Sequence, residues 1–132
     1  MHINLESDYA LRLVRLLASE NQRLDAGTIS ERAHVSLRFT LKIMHKLVAA
    51  GVVCSFKGPH GGYTLARAPG HITMRQVIEA VEGPYRFSRC LDDEYACTCG
   101  GGPGCCPFHA VFDDITRMVT EKLESTTFDM LL

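Results

Sequence analysis

Residues 26–66 read AGTISERAHVSLRFTLKIMHKLVAAGVVCSFKGPHGGYTLA, and this stretch decides the fold. Its first eight residues have the pattern of a short helix, and Asp25 before them is a candidate N-cap. A tight connection leads to a longer helix that Ser36 caps and that Gly51 ends. A short helix, a tight turn and a longer basic helix, in that order, predict a helix-turn-helix unit.

The longer helix has two faces that predict different roles. We expect a buried apolar stripe made of Leu37, Leu41, Met44, Leu47 and Val48. The other face carries Arg38, Lys42, His45 and Lys46. Because a helix fits the major groove and its N-terminal residues meet base edges, this face is typical of DNA recognition. The expected base-contacting residues are Ser36, Leu37, Arg38, Phe39 and Thr40, with Lys42 and Lys46 on phosphates.

A β-hairpin is predicted directly after this helix. Residues 52–56 are rich in β-branched and aromatic side chains, and residues 63–66 form the returning strand. The tip between them carries Lys57, His60, Gly61 and Gly62, and we expect it to approach the DNA backbone as a wing. The alternative is a three-helix core whose hairpin touches no DNA.

Two more helices are predicted after this unit. The capping-box pattern at Thr73 opens a short helix, and an apolar stripe runs from Phe108 to Leu123. A helix this apolar on one face needs something to pack on, and a second copy of the chain is the simplest partner. The expected fold is mainly α with a small β-hairpin wing, a winged helix-turn-helix with a long C-terminal dimerisation helix. Its expected divisions are a DNA-binding domain (1–83), a Cys-rich loop (84–107) and the dimerisation helix (108–132).

Charge is distributed unevenly along the chain. The net charge of the 132 residues is only −1, but residues 1–67 hold nine basic against five acidic residues and the remainder holds five against ten. A basic first half favours contact with a polyanion. No apolar run approaches the ~18 residues of a membrane span, so we expect a cytoplasmic protein without a membrane partner. No catalytic triad, phosphate loop or nucleotide-binding glycine motif is present, so we do not expect an enzyme.

Five of the six cysteines fall within 17 positions, which predicts a metal or redox site. They are Cys90, Cys97, Cys99, Cys105 and Cys106. Thiolates are soft ligands that suit iron–sulfur clusters or zinc. The spacing differs from the paired knuckles of structural zinc sites, which favours iron–sulfur, while zinc and redox disulfides remain open. Cys54 stands apart in the hairpin, where we expect a small buried residue.

Several stretches, taken in order, carry a family resemblance. They are Asp8-Tyr9-Ala10-Leu11, Ile29-Ser30-Glu31-Arg32, Val35-Ser36, Gly58-Pro59-His60-Gly61-Gly62-Tyr63, Val77 to Gly83, Cys90 and Cys106-x-x-His109. The chain resembles the Rrf-type family of winged-helix transcriptional regulators, which includes sensors of iron–sulfur cluster supply, nitric oxide and iron and a repressor of cysteine metabolism. The resemblance implies a homodimer, crossed at the C-terminal helix, on a double-stranded operator that we expect to be palindromic.

The resemblance also implies a cluster held by three loop cysteines and a fourth ligand. That ligand is His109 or Asp8 from the other subunit. The family pattern has three cysteines where this chain has five, so Cys90, Cys97 and Cys106 are the expected set and Cys99 with Cys105 the alternative. The cluster type, 2Fe–2S or 4Fe–4S, stays open. The competing interpretation is a cluster-free winged-helix regulator that uses thiol or zinc chemistry or responds to a protein partner.

Overall fold

Residues 2–98 and 106–132 are described by a computed structural model, in which five α-helices and one two-stranded hairpin form the chain. The α-helices are α1 (Leu5–Glu20), α2 (Ala26–Ala33), α3 (Leu37–Ala49), α4 (Met74–Glu82) and α5 (Pro107–Ser125). The strands are β1 (Val53–Phe56) and β2 (Gly62–Leu65), and short 3₁₀ turns cover Pro69–His71, Arg89–Leu91 and Phe128–Leu131. Cys99 and Cys105 lie outside the described residues.

Local capping signals set most of the helix boundaries. The Asp25 side chain accepts a hydrogen bond from the Thr28 N–H at the start of α2, and Ser36 does the same for Phe39 at the start of α3. The capping box at Thr73 is confirmed, since Thr73 and Gln76 exchange side-chain and backbone hydrogen bonds. These contacts satisfy N–H groups that a helix start leaves unpaired.

The hydrophobic core lies where α1, α3 and α4 meet. Its most buried side chains include Leu13, Val14 and Leu17 of α1, Ile43, Met44 and Leu47 of α3, and Val77 of α4. The predicted stripe of α3 is wrong at three positions, because Leu37, Leu41 and Val48 are exposed. The buried column runs through Thr40, Ile43, Met44 and Leu47 instead. Each residue of a helix is rotated by about 100° from the one before it. A predicted stripe that is wrong by one position therefore names exposed residues in place of buried ones.

The hairpin is attached to the segment between α1 and α2. Its strands pair antiparallel, with Val53 opposite Leu65. Leu24 and Tyr63 exchange backbone hydrogen bonds of 3.1 and 2.8 Å, which extend the hairpin by one isolated bridge. This bridge fixes the wing against the helix-turn-helix unit.

The chain end returns to the first domain. α5 ends at Ser125, and Phe128 is almost fully buried in the core. Backbone hydrogen bonds join Met74 N to Thr126 O (2.9 Å) and Phe128 N to Ile72 O (3.1 Å). The expectation of one dimerisation helix over 108–132 is therefore wrong for its last seven residues, because Phe128 gains more by packing in the core than by extending α5 into solvent. None of the helices among the described residues is long and apolar enough to cross a membrane.

Candidate nucleic-acid interface and cysteine segment

α3 presents a cationic face to solvent. Arg38, Lys42 and His45 are exposed and follow one another at helical spacing. The opposite face of α3 packs in the core, so the helix is fixed in orientation with these side chains outward. This is the arrangement that a recognition helix needs, with Arg38 in the first turn where base edges are met.

Two residues expected to contact DNA have other roles. Thr40 is fully buried, so it cannot reach a base, and its hydroxyl finds no hydrogen-bond partner among the described residues. Lys46 lies on the flank of α3, where its Nζ is 2.7 Å from Glu6 Oε1 of α1 and donates to the carbonyl of Val81 at 3.3 Å. Lys46 therefore joins three helices, and phosphate contact would require it to leave these partners. Lys42 lies 3.8 Å from the same carboxylate oxygen and stays mostly exposed, so it remains a candidate phosphate contact.

Phe39 connects α3 to α1. Its ring meets the edge of Tyr9 at 5.8 Å between centroids, and the Lys42 ammonium lies 5.9 Å from its centroid. Offset or edge-on aromatic contacts of this kind hold their rings in place. Phe39 is thus partly engaged within the protein and leaves part of its ring exposed beside Ser36, the N-cap.

Arg23, between α1 and α2, contacts the wing in a way that the sequence did not predict. Its guanidinium lies 3.7 Å from the centroid of the Phe56 ring, and Nη1 donates to the His60 carbonyl at 3.0 Å. Arg23 therefore clamps the exposed tip that carries Lys57 and His60. The partners lie more than thirty positions along the chain, so helical or strand periodicity carried no signal for this contact.

Gly61 and Gly62 are required by the fold rather than only by an approach to DNA. A Cβ on Gly61 would lie 2.5 Å from the carbonyl oxygen of Phe56. A Cβ on Gly62 would overlap the carbonyl oxygen of Leu24, and its φ of +146° is one that residues with side chains rarely adopt. Both glycines let the wing fold tightly onto its own backbone and onto the α1–α2 link.

Two carboxylates make polar contacts with α2. Hydrogen bonds from the Thr28 hydroxyl and backbone N–H keep the pKa of Asp25 below its ordinary value. A hydrogen bond from Arg32 of α2 lowers the pKa of Glu20 at the end of α1. Both carboxylates stay charged at neutral pH; Asp25 caps the start of α2, and Glu20 joins α1 to α2.

The cysteine segment, residues 84–107, begins against α5. The Phe87 N–H donates to the Thr116 hydroxyl at 3.0 Å, and the Phe87 and Phe112 rings lie 5.3 Å apart. The Arg89 guanidinium lies 5.0 Å from the ring centroid of Tyr95. These contacts fix the first part of the segment beside the C-terminal helix.

The candidate metal ligands are spread along this region. Cys90 is half-buried in the Arg89–Leu91 turn, Cys97 is exposed, and Cys106 is the N-cap residue of α5. His109 is half-buried in the first turn of α5. Across residues 2–98 and 106–132, no three His, Cys, Asp or Glu side chains are grouped as a metal site.

Two further residues, the candidate ligand Asp8 and the isolated Cys54, have definite positions. Asp8 pairs with Arg12 one turn along α1, at 2.7 Å, and both side chains are about half exposed. The prediction that Cys54 is buried is wrong: it is exposed on β1, whose Val53 takes the inward position. In a strand, neighbouring side chains point to opposite faces.

Comparison with known proteins identifies the family. A family model described as Rrf2, iron-dependent transcriptional regulator, matches residues 3–132. The chain belongs to the Rrf2 family. The expected resemblance is confirmed, and the chain is a DNA-binding transcriptional regulator and not an enzyme.

Individual Rrf2 relatives cover nearly the whole chain. The HTH-type transcriptional regulator IscR of Xenorhabdus nematophila is 31% identical over 134 residues, covering 100% of this chain and 79% of that protein. A putative HTH-type transcriptional regulator of Aquifex aeolicus is 32% identical over 126 residues, covering 94% of this chain and 86% of that protein.

Solved structures confirm the fold class. CymR, the global cysteine regulator of B. subtilis, superposes with a TM-score of 0.79 at 27% identity and covers 99% of this chain and 95% of its own. The IscR of T. potens superposes with a TM-score of 0.75 at 25% identity and covers 99% of this chain and 86% of its own. The mainly helical winged fold with its long C-terminal helix is therefore that of Rrf2 regulators.

Proposed function

We propose that this Rrf2 regulator binds a palindromic operator as a homodimer and senses redox, nitric oxide or iron status through an iron–sulfur cluster on its cysteine segment. The observation that carries the proposal is the placement of five cysteines in the 17 positions that lead into α5. This placement puts soft ligands between the DNA-binding domain and the helix proposed to join two copies.

The donor chemistry of the segment fits such a group. Thiolates are the usual ligands of iron–sulfur clusters, and Cys106 is the residue directly before the first turn of α5. We assign Cys90, Cys97 and Cys106 as thiolate ligands, with Cys99 and Cys105 as the alternative pair. His109 or Asp8 of a second copy would complete the set. When bound, the cluster would supply an iron centre that responds to oxidation, nitrosylation or loss.

Contacts on α1 give a path from Asp8 to the recognition helix. The Arg12 guanidinium that pairs with Asp8 also lies 5.4 Å from the Tyr9 ring centroid, and Tyr9 meets Phe39 of α3. A ligand role for Asp8 would compete with its ion pair to Arg12 and so alter this row of side chains. A change of this kind needs about 1–3 kcal/mol of coupling to switch operator affinity.

The surface of α5 supports the homodimer. Phe108, Val111 and Met118 are exposed, and no residue of the helix is fully buried. The half-buried Ile115 and Val119 line an open cleft of about 690 Å³ beside α4. Large exposed apolar surface marks an interaction site, and a second α5 would cover it. In such a dimer, the two helix-turn-helix units would contact DNA half-sites about 34 Å apart.

The cluster is tested on protein purified without oxygen. We expect broad visible absorption with matched iron and sulfide. Cys97→Ser, Cys106→Ser and Cys90→Ser should each lose most of the iron, whereas Cys54→Ser, an exposed cysteine outside the segment, should keep it. Iron retained in all three segment variants would overturn this ligand set, and Cys99→Ser and Cys105→Ser would then test the alternative.

A cluster-free regulator is the second candidate. It is favoured by the absence of three grouped ligands among the described residues. A colourless protein with about one zinc, or with no metal, would support thiol or zinc chemistry or control by a protein partner. That result would overturn the cluster and leave operator binding in place.

A further inference from the structure

α3 exposes two leucines beside its cationic residues. Leu37 is 49% exposed and Leu41 is 46% exposed, and they lie one helical turn apart. We call these two residues the α3 apolar patch. Arg38 and Lys42, which follow each of them in sequence, are exposed as well. Exposed apolar side chains gain stability only when a partner removes them from water.

The position of the patch selects its partner. It occupies the first turns of α3, which is the part of a recognition helix that meets base edges. Arg38 and Lys42 on its border attract a polyanion and exclude a purely apolar protein surface. In the major groove, the apolar group presented by an unmodified base is the C5-methyl of thymine. DNA therefore offers this patch a small apolar contact within a negatively charged surface.

Other apolar residues of α3 are placed differently. Val48 is exposed on the same flank but lies in the last turn of the helix. Phe39 lies on the other flank, where its ring meets Tyr9 of α1. The patch is thus confined to Leu37 and Leu41.

We infer that Leu37 and Leu41 determine operator specificity by packing on thymine methyl groups, while Arg38 hydrogen-bonds a neighbouring base. The inference rests on operator binding by this family member and adds which base feature is read. Burying one methyl group strengthens binding about fourfold. The operator half-site should therefore contain thymines whose methyl groups matter as well as their pairing.

The test uses duplexes selected by the native protein from a random pool. Each thymine of the selected half-site is replaced by uracil, which removes the methyl group alone. Affinities are measured at fixed salt for the native protein, Leu37→Ala, Leu41→Ala and the matched control Val48→Ala. We expect one or two positions where uracil weakens native binding about fourfold. Leu41→Ala or Leu37→Ala should bind thymine and uracil equally at one such position, while Val48→Ala should discriminate like the native protein.

The outcomes separate this inference from operator binding itself. The inference is overturned if the affinities of all four proteins fall by the same factor at every uracil. It is also overturned if the selected half-site contains no thymine whose methyl group affects binding. In both cases operator binding stands. If the native protein enriches no duplex, operator binding fails and the inference fails with it. Circular dichroism and thermal unfolding check that the variants stay folded, which their exposed positions favour.

Discussion

At the residue scale, Gly61 and Gly62 lie where the sequence predicts, but the structure gives a further reason for glycine at both positions. The sequence predicts that Gly61 and Gly62 lie at the tip of a hairpin, and both do lie at that tip. The structure adds that neither has room for a side chain, because backbone carbonyls of Phe56 and Leu24 occupy the space. Gly62 therefore joins the wing to the α1–α2 link before any DNA is present.

Gly62→Ala should lower the free energy of unfolding by about 1–3 kcal/mol, because it adds an unfavourable φ and a backbone overlap. Gly58→Ala is the control: its φ is +95°, but no atom lies within 4 Å of the added Cβ. It should cost only about 1 kcal/mol. Urea denaturation measures both. Equal losses would show that backbone conformation alone, and not the contact with Leu24, requires glycine at position 62.

The exchange of Thr40 for Leu41 is the main error at this scale. Apolar periodicity favours leucine inside, so it selected Leu41 and passed over Thr40. The core of this chain accepts the threonine because its buried column is completed by Ile43, Met44 and Leu47. A pattern that ranks residues by hydrophobicity cannot identify a leucine that stays exposed.

At the element scale, sequence reasoning succeeds where the signals are local. The N-caps Asp25, Ser36 and Thr73 act within three residues of themselves, so α2, α3 and α4 begin where the sequence predicts. The wing clamp is different, because Arg23 meets Phe56 and His60 only after the hairpin has folded back. Contacts of that kind follow from tertiary structure and leave no local pattern.

Arg23→Ala should weaken operator binding about fivefold or more while the helices stay intact. The change removes a cation–π contact and a hydrogen bond that order the wing tip, each worth about 1 kcal/mol. Fluorescence anisotropy on the selected operator measures the loss. Arg23→Lys keeps the charge but not the planar guanidinium, so it should recover only part of the affinity. Native affinity in Arg23→Lys would mean that charge alone matters at this position.

At the scale of the whole molecule, the chain end shows what a linear division into domains misses. The sequence grouped residues 108–132 as one dimerisation helix, yet Phe128 packs in the hydrophobic core together with residues of α1, α3 and α4. Arg15 of α1 donates to the carbonyl of Leu131 at 2.8 Å and holds this return in place. These partners are more than fifty positions away along the chain. α5 is therefore tied to the rest of the molecule at two places, in its middle through Phe87 and beyond its last residue through Phe128.

Met118→Glu should convert the proposed homodimer into monomers, because it places a charge on the exposed apolar surface of α5. Met118 is 68% exposed, and Met130, at 67%, provides a control of the same residue type outside α5. Sedimentation equilibrium should give half the native mass for Met118→Glu and the native mass for Met130→Glu. Dimers in both variants would contradict dimerisation through this face.

We propose above all that the cysteine segment controls how the helix-turn-helix units of the dimer meet DNA. The most direct measurement is the operator affinity of protein purified without oxygen, before and after iron is removed by a chelator, at one fixed salt concentration. We predict a difference of at least about fivefold, which corresponds to about 1 kcal/mol of coupling. Equal affinity before and after chelation would contradict the claim.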